Sequence, residues 1–446
     1  MTSTRARLAP WLGLVLALVL VGLAFGLPRW LEWEVASRAP RNASDLEVPP
    51  LHGLWHPQLL GPGTVPALLL ALLGWRYGPG LAERLPWRRL LLASYAAGLA
   101  WLLALALVDG TSGLTRVLGN DYEYLPTARE VDDVGALLRG YVDRIPYAHE
   151  DNWPTHVAGH PPGALLFFVL LVRVGLGGDL AAALVVVALA ATTALAVLTT
   201  LRALDAEDVA RRAAPFLVLT PAAVFMAVSA DALFAAVAAW GLAALALAAT
   251  APRRAALVAW SLLAGLLLGY GSLMSYGLPL LGVVALAVLL AARSWWPLPL
   301  AAGTALAVVL GFAAAGFAWW EAYPVLSERY WDGIAADRPA SYWMWANLGA
   351  LLVCAGPLLG AGLAYAAAGA RRLTRPAVLL VAAAAVAVAA ADLSRMSKAE
   401  TERIWLLFVP WLTVSLALLP PAWRRWGLGL QVAGALVVQH LLYTSW

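Results

Sequence analysis

The stretch LAPWLGLVLALVLVGLAFGL, residues 8–27, contains no charged side chain and is long enough to decide the class of fold. A helix of about 20 apolar residues crosses the hydrocarbon core of a bilayer, which is about 30 Å thick. Arginines at positions 5 and 7 precede the stretch, as basic residues do in both secretory signals and first transmembrane helices. The sequence PRWLEWE that follows offers no clean small-residue cleavage site. We therefore predict a spanning helix.

The composition of the whole chain indicates the same class. Of its 446 residues, 62% are hydrophobic and only 13% are charged, too few for the surface of a water-soluble domain of this length. The net charge is +4, but the arginines stand in short clusters between apolar runs, as orientation signals do. We therefore predict an integral membrane protein that does not bind nucleic acid. The single cysteine, Cys354, lies in an apolar run and is expected to be a packing residue.

Further apolar segments follow the first one along the whole chain. They cover roughly residues 64–76, 88–108, 161–175, 180–200, 215–229, 232–250, 256–270, 278–292, 298–318, 347–368, 377–392, 403–420 and 427–443. The linker RALDAEDVARRAAP, residues 202–215, is expected to be an amphipathic helix on the inner surface. We interpret residues 1–446 as a single transmembrane domain.

The arginine clusters determine the predicted orientation. A cytoplasmic N-terminus also places the cluster at residues 84–89 inside, because basic residues prefer cytoplasmic loops. The later clusters obey this rule only if residues 161–200 cross once, with one apolar piece re-entrant, interfacial or broken near residues 175–178. A break at membrane depth requires a cavity beside it. We therefore predict an all-α, multi-pass protein of the cell membrane with about 13 transmembrane helices and an outer C-terminus.

This topology places the most polar parts of the chain on the extracytoplasmic side. They are the large loop of residues 109–160, residues 229–231, residues 270–276, the tryptophan-rich loop of residues 319–345, and residues 392–403. Ionisable groups at membrane helix ends are costly unless paired or hydrated, so this convergence favours a functional cavity that opens outward. Ordinary solvated loops are the alternative, and for the tryptophan-rich loop so is an aromatic belt at the interface.

Three regions carry an ordered set of motifs. The outer loop reads GLTRVLGNDYEYLPTAREV, then ALLRGYVDRIPY, then GHPPGALLFF; residues 219–241 read LTPAAVFMAVSADALFAAVAAWG and residues 395–412 read RMSKAETERIWLLFVPWL. This order resembles the GT-C superfamily, the polytopic glycosyltransferases that use polyprenyl-phosphate sugars and include protein O-mannosyltransferases and lipid A aminoarabinose transferases. In that family an acidic residue or pair follows a helix end, and a later helix opens with His-Pro-Pro. Here these elements look like Asp121 with Glu123, and residues 160–162.

The resemblance implies a GT-C-like fold that transfers a sugar from a polyprenyl-phosphate donor to an extracytoplasmic glycan, lipid or protein acceptor. In such an inverting transfer a carboxylate takes the proton of the acceptor hydroxyl as C1 leaves phosphate. Asp121 is the predicted base, although an aspartate here also suits the N-cap of a helix beginning near residue 122. Glu123 is expected to orient Asp121 or to bind a divalent cation, and Asp132 or Asp133 is an alternative base. No other cofactor is expected.

The leaving polyprenyl phosphate is anionic and needs cations near the interface. Arg395, Lys398 and Arg403 are predicted to supply them, with contacts to lipid headgroups as the alternative. Arg116 is a further candidate and would equally balance the acidic loop. The complete set of predicted substrate-binding residues is Arg116, Tyr124, Tyr147, His160, Asp231, Tyr276, Arg395, Lys398 and Arg403.

The Pro-Pro pair explains why a polar stretch stands directly before an apolar helix. Pro161 and Pro162 lack backbone N–H groups and suit a helix start, where those donors have no partner in the helix. They are expected to hold His160 at the cavity mouth, where it can bind phosphate or sugar. His156 is expected to be a solvated loop residue.

Two other functional classes are the alternatives to a glycosyltransferase. A secondary transporter or a lipid or polysaccharide flippase would carry charges in mid-membrane and a repeat of its two halves. Asp231 and Asp392 instead lie near predicted helix ends, and the sequence has no visible repeat. A non-catalytic subunit of an envelope-assembly complex would keep the fold without a catalytic carboxylate.

Overall fold

The computed structural model describes residues 4–37, 47–51 and 53–443. Helices make up 73% of the structure and strands almost none, which confirms the predicted all-helical class. Within the described residues, seven helices are long and apolar enough to cross a membrane, or up to nine if two bent pairs each count as one span. This set of helices is that of a polytopic membrane protein. The predicted count of about 13 crossings is not confirmed.

The first half of the chain contains the longest loop between apolar helices. In chain order the helices are α1 (Thr4–Trp30), α2 (Thr64–Arg84), α3 (Trp87–Ala106), α4 (Ser112–Thr115), α5 (Tyr124–Arg129), α6 (Val134–Arg139), α7 (Thr155–Gly159), α8 (Pro162–Arg173), α9 (Asp179–Ala190), α10 (Thr193–Ala203), α11 (Glu207–Val218) and α12 (Ala223–Met226). The 3-10 turn Leu107–Asp109 follows α3. The predicted linker helix begins five residues late, at Glu207, as α11.

The second half completes the bundle. Its helices are α13 (Ala230–Ala249), α14 (Arg254–Ser272), α15 (Gly282–Ala292), α16 (Pro297–Ala314), α17 (Trp319–Asp332), α18 (Ala340–Ala355), α19 (Leu358–Gly369), α20 (Arg375–Leu393), α21 (Thr401–Ile404), α22 (Val409–Leu418) and α23 (Pro421–Leu441), with 3-10 turns at Leu278–Leu281 and Trp405–Leu407. The predicted tryptophan-rich loop is therefore largely helical, since α17 and the start of α18 occupy most of it.

Three very short strands form the only sheet of the described residues. They are β1 (Glu47–Val48), β2 (Gly53–Trp55) and β3 (Leu442–Tyr443), antiparallel in the order β1-β2-β3. Leu54 pairs with Tyr443 and Trp55 with Leu442. The sheet ties the segment between α1 and α2 to the chain after α23.

Helix α13 forms the centre of the bundle. Its apolar window is 78% buried, whereas the corresponding window of α16 is 11% buried. At the edge, α1 crosses α19 at two glycines: a Cβ on Gly13 would lie 2.1 Å from the carbonyl oxygen of Gly360. Small residues permit such backbone contact between membrane helices, where lipid competes with apolar side chains.

The chain breaks between α8 and α9, near residues 175–178, and the single net crossing of residues 161–200 stays a prediction. Helix α8 has 12 residues and is about 18 Å long, which is shorter than a bilayer core. Gly175 has a φ of +82°, which glycine adopts without strain, and a sharp turn follows α8 there. Helices α9 and α10 then make one candidate span, Asp179–Ala203.

The bundle has two chemically different ends. At one end Arg211 of α11 donates to the carbonyl oxygens of Ala82 and Leu85, both at 2.9 Å, and Arg202 lies over the Trp87 ring. We call this the basic end. Helix α3 runs from there to the loop of residues 109–160. Helices α9 and α10 run back from Asp179, which pairs with Arg129 of that loop. The long polar loop and the arginine-rich turns therefore lie at opposite ends.

Candidate functional site

A group of ionisable side chains, most of them buried, lies where the long loop meets α13 and α21. We call Glu123, His156, Asp231, Glu400 and Arg403 the buried charge cluster. Asp231 and Arg403 are 5% and 4% exposed, and Glu123 is 3% exposed. Burying a charged side chain costs free energy unless the charge is paired. The site is therefore defined by the hydrogen-bond and ion-pair partners of these side chains.

Glu123 is held by His156. Its Oε1 lies 2.7 Å from Nδ1 of His156, so the imidazole N–H donates to the carboxylate. Burial acts to raise the pKa of Glu123, but the charges of His156 and Arg403 and the hydrogen bond outweigh it and hold the pKa below its ordinary value. The second oxygen, Oε2, is buried and has no hydrogen-bond partner among the described residues. Among the described residues, Glu123 therefore has one oxygen engaged by His156 and one, Oε2, that makes no hydrogen bond.

Arg403 connects the rest of the cluster. Its Nη1 donates to Oδ2 of Asp231 at 2.5 Å, and its Nη2 donates to Oε2 of Glu400 at 3.1 Å. Nη2 also lies 3.5 Å from Nε2 of His156, so Glu123, His156, Arg403 and Asp231 form one continuous chain of contacts. Arg403 thus contacts two carboxylates directly, those of Asp231 and Glu400, and a third, that of Glu123, through His156.

The start of α13 positions Asp231 for this contact. Ser229 is the N-cap, and its Oγ accepts from the backbone N–H of Ala232 at 3.3 Å. Asp231 lies in the first turn, where unpaired N–H groups and the helix dipole favour a negative charge. The Ser-Ala-Asp sequence therefore stabilises the Asp231 carboxylate independently of its contact with Arg403.

Tyr124 forms the apolar wall of the site. Its ring stacks on Phe168 with centroids 5.4 Å apart, and Phe234 and His160 lie edge-on or tilted around it. The side chain is 1% exposed, and its hydroxyl has no hydrogen-bond partner among the described residues. Burial and the nearby carboxylates of Glu123 and Asp231 raise the pKa of Tyr124 well above its usual range.

The segment THVAGHPP brings both histidines to the cluster. Helix α7 is a short turn that contains His156, and His160 is the extended residue that ends it, four positions later. Nδ1 of His160 lies 2.9 Å from the carbonyl oxygen of His156, and burial lowers the pKa of His160. The Tyr141 hydroxyl lies 2.8 Å from the carbonyl of Val157 and 3.0 Å from that of His160, which fixes the turn. The side chain of His156 is only 13% exposed, so the expectation of a solvated residue is wrong.

Asp121 lies outside the cluster. Its side chain is exposed, two residues before the buried Glu123. Asp132 is also exposed. Asp133 caps α6: its Oδ1 accepts from the N–H groups of Gly135 at 2.7 Å and Ala136 at 3.1 Å, and these bonds lower its pKa. Of the four loop carboxylates Asp121, Glu123, Asp132 and Asp133, Glu123 is the one that the structure brings to Asp231 and Arg403.

Four other predicted binding residues lie outside the cluster. Arg116 pairs with Asp109 at 3.0 Å and lies over the Tyr443 ring. This contact agrees with its alternative predicted role, which is to balance the acidic loop. Tyr147 is half exposed beneath the guanidinium of Arg329. Tyr276 packs against Trp319 and Tyr323, and burial raises its pKa. Arg395 is exposed after α20.

Lys398 has a structural environment. Its Nζ donates to the carbonyl oxygens of Ala335 and Arg338, and it lies 4.5 Å from the centre of the Trp331 ring. Burial and the neighbouring cations Arg338 and Arg395 lower the pKa of Lys398. Lys398 therefore ties the segment after α17 to the segment before α21.

The structure thus brings together five predicted residues, namely Glu123, Tyr124, His160, Asp231 and Arg403. Sequence reasoning missed two members of the site, His156 and Glu400. The spacing of His156 and His160, four residues apart, was the available signal for the first. Glu400 stands three residues before Arg403, which is a spacing typical of helical ion pairs.

No metal site accompanies the cluster in the part of the chain that the structure describes. There, no group of three or more His, Cys, Asp or Glu side chains is arranged to hold an ion. Comparisons with protein families, with curated proteins and with solved structures found no match to this chain.

Proposed function

We propose that this chain is a membrane glycosyltransferase that moves a sugar from a polyprenyl-phosphate donor to an acceptor on the extracytoplasmic face. The observation that carries the proposal is the contact chain Glu123, His156, Arg403 and Asp231. Three of these four residues come from the separate motifs that resemble the GT-C superfamily. Residues far apart in sequence that meet in a buried ionised network are typical of functional sites.

Glu123 is the general base in this proposal. Its Oε2 accepts the proton of the acceptor hydroxyl as the C1–O bond to phosphate breaks and the new C1–O bond forms. His156 is a positioning residue, because its N–H holds Oε1 and leaves Oε2 available. The carboxylate form is the one that accepts a proton, and the charges of His156 and Arg403 favour that form by lowering the pKa of Glu123. This assignment replaces Asp121, whose exposed side chain has no comparable support.

The leaving phosphate needs a cation that is not already neutralised. Arg403 is surrounded by the carboxylates of Asp231 and Glu400, so we assign it to ordering the site. Arg395 is exposed and close enough to Lys398 to lower its pKa, which suits an interfacial phosphate contact. His160 and Tyr124 form the polar and aromatic sides of the sugar subsite.

The side of the membrane that the site faces is inferred from the two ends of the bundle. Helix α20 runs from Arg375 to Leu393, just before Lys398, and its 19 residues span about 28 Å, close to the thickness of a bilayer core. Arginine-rich turns prefer the cytoplasm, so the cluster at the opposite helix end faces outward.

Cysteine labelling tests this sidedness. Cys354 is the only cysteine of the chain and is buried, so an introduced thiol gives the signal. We expect a membrane-impermeant maleimide to label Asp121→Cys in intact cells and Arg253→Cys only after permeabilisation. The reverse pattern would refute the outward-facing site.

A panel of radiolabelled polyprenyl-phosphate sugars tests the activity. Purified protein in lipid vesicles is incubated with each donor and with cell-envelope acceptors, and label transferred to glycan, lipid or protein is counted. We expect one donor class to give transfer. Absence of transfer from every donor, with folded protein, would reject the proposal.

The same network favours a secondary transporter or flippase as the second candidate. Buried carboxylates coupled to a histidine are also the parts of a proton relay in a membrane protein. Proton-coupled uptake into vesicles that is lost in Glu123→Gln, without any sugar transfer, would select this candidate.

A further inference from the structure

A groove of about 620 Å³ lies between α2, α3 and α11, on a different part of the bundle from the buried charge cluster. Most of its wall is aliphatic, with contributions from Leu70 to Leu85 of α2, Leu90 to Ala97 of α3 and Ala214 to Leu219 after and within α11. A volume of this size, lined by apolar groups with a few polar ones, is that of a small-molecule or lipid site.

The charges on the groove have one sign. Arg76 and Arg84 line it, and no aspartate or glutamate belongs to its described lining. Both arginines are exposed, and the guanidinium of Arg76 lies 5.2 Å from the centre of the Tyr77 ring. Arg84 is the last residue of α2, at the basic end of the bundle. An apolar surface whose described lining carries two cations and no acidic side chain is complementary to an anionic amphiphile.

The dimensions agree with a lipid of a single leaflet. From Leu70 to Arg84 the groove follows α2 for about 21 Å, and half of a bilayer core is about 15 Å. Arg76 and Arg84 are about 12 Å apart along the helix axis, so both long side chains can extend towards a phosphate between them. The aliphatic wall would then face the acyl chains.

We propose that this groove binds an anionic glycerophospholipid, with its phosphate between Arg76 and Arg84 and an acyl chain against the wall. Basic pockets between membrane helices are typical sites for anionic headgroups. The aliphatic wall would pack against one acyl chain of such a lipid. The lipid covers the gap where α2 separates from α3 and α11.

Native mass spectrometry of the purified protein tests the headgroup. Phosphatidylglycerol and phosphatidylcholine with identical acyl chains are titrated, and the bound fractions are compared. We expect Arg76→Gln and Arg84→Gln each to weaken phosphatidylglycerol binding about fivefold, as expected for the loss of one basic residue near an anionic surface. Phosphatidylcholine binding should not change, and Arg253→Gln, an exposed arginine away from the groove, should leave both unchanged.

A substitution that fills the groove tests the predicted acyl-chain contact. Gly80 lines it, and a Cβ there would meet no atom within 4 Å, so Gly80→Phe projects into open space. We expect Gly80→Phe to reduce phosphatidylglycerol binding at least tenfold. Gly22→Phe is the matched control, because a Cβ on the exposed Gly22 of α1 would likewise meet no atom within 4 Å.

Three outcomes would overturn the proposal. They are equal affinity of the native protein for both lipids, full phosphatidylglycerol binding by Arg84→Gln or by folded Gly80→Phe, and preferential binding of polyprenyl phosphate that phosphatidylglycerol cannot displace. The arginine variants change exposed side chains, so they decide the question even if Gly80→Phe does not fold.

Discussion

The pair Arg403–Asp231 allows a sharp test of the buried charge cluster, because the chain contains an exposed pair with the same separation. Arg403 Nη1 and Asp231 Oδ2 are 2.5 Å apart with side chains 5% and 6% exposed. Arg129 Nη2 and Asp179 Oδ1 are also 2.5 Å apart, with side chains 40% and 42% exposed. Both aspartates lie in the first turn of a helix, so the contribution of the helix dipole is similar.

The expected magnitudes follow from burial. Removing one partner of a buried ion pair leaves an uncompensated charge and costs about 3–5 kcal/mol. Glu400 still contacts Arg403 in Asp231→Asn, so we expect the lower end, about 3 kcal/mol of unfolding free energy. Asp179→Asn should cost less than about 1 kcal/mol, because water solvates the remaining arginine.

Equilibrium unfolding in mixed detergent micelles, followed by tryptophan fluorescence, measures both values. The double variant Asp231→Asn/Arg403→Gln removes both charges, and we expect it to be less destabilised than the sum of its single variants. The reasoning is refuted if Asp231→Asn costs no more than Asp179→Asn, or if the double variant is simply additive.

Three further predictions concern single side chains. Tyr124→Phe should keep or raise the free energy of unfolding, because the buried Tyr124 hydroxyl has no hydrogen-bond partner among the described residues. Tyr141→Phe should lower it by about 1–2 kcal/mol in the same assay, because the contacts of the Tyr141 hydroxyl with two carbonyl oxygens are lost. The stability that Glu123 provides should be complete above the unfolded pKa of about 4.3 and be lost as pH falls through its lower folded pKa; Glu123→Gln should abolish this part of the pH profile. Gly13→Leu should lower the melting temperature through backbone clash with α19, whereas Gly22→Leu should not.

The class of fold was predictable because a helix that crosses a bilayer needs a long apolar segment, which is visible in the sequence. The number of spans was not. Apolar composition does not reveal where a helix bends. Helices α18 and α19, for example, meet at 103°, and α18 ends at Gly356, which has a φ of +87°. Helix α8 is apolar up to its last residue, Arg173, but is only 12 residues long. Tertiary packing sets both of these features.

The candidate site was predictable in part for a similar reason. Tyr124, Asp231 and Arg403 stand in ordered motifs, so sequence alone singles them out. The choice between Asp121 and Glu123 depends on which side chain faces the bundle, and the motif does not specify this. The partner of His156 is Glu123, 33 residues earlier in the chain. Only the folded loop brings them together.

The central claim is that Glu123 is the base of a sugar transfer, and the most direct measurement compares transfer rates of two matched glutamate variants. Glu123→Gln removes the buried carboxylate, and Glu130→Gln changes an exposed glutamate of the same loop. With the donor found in the panel, we expect Glu123→Gln to lower the rate at least about 100-fold at unchanged fold, the contribution typical of a general base. Glu130→Gln should retain the native rate. Equal rates for the two variants would contradict the account.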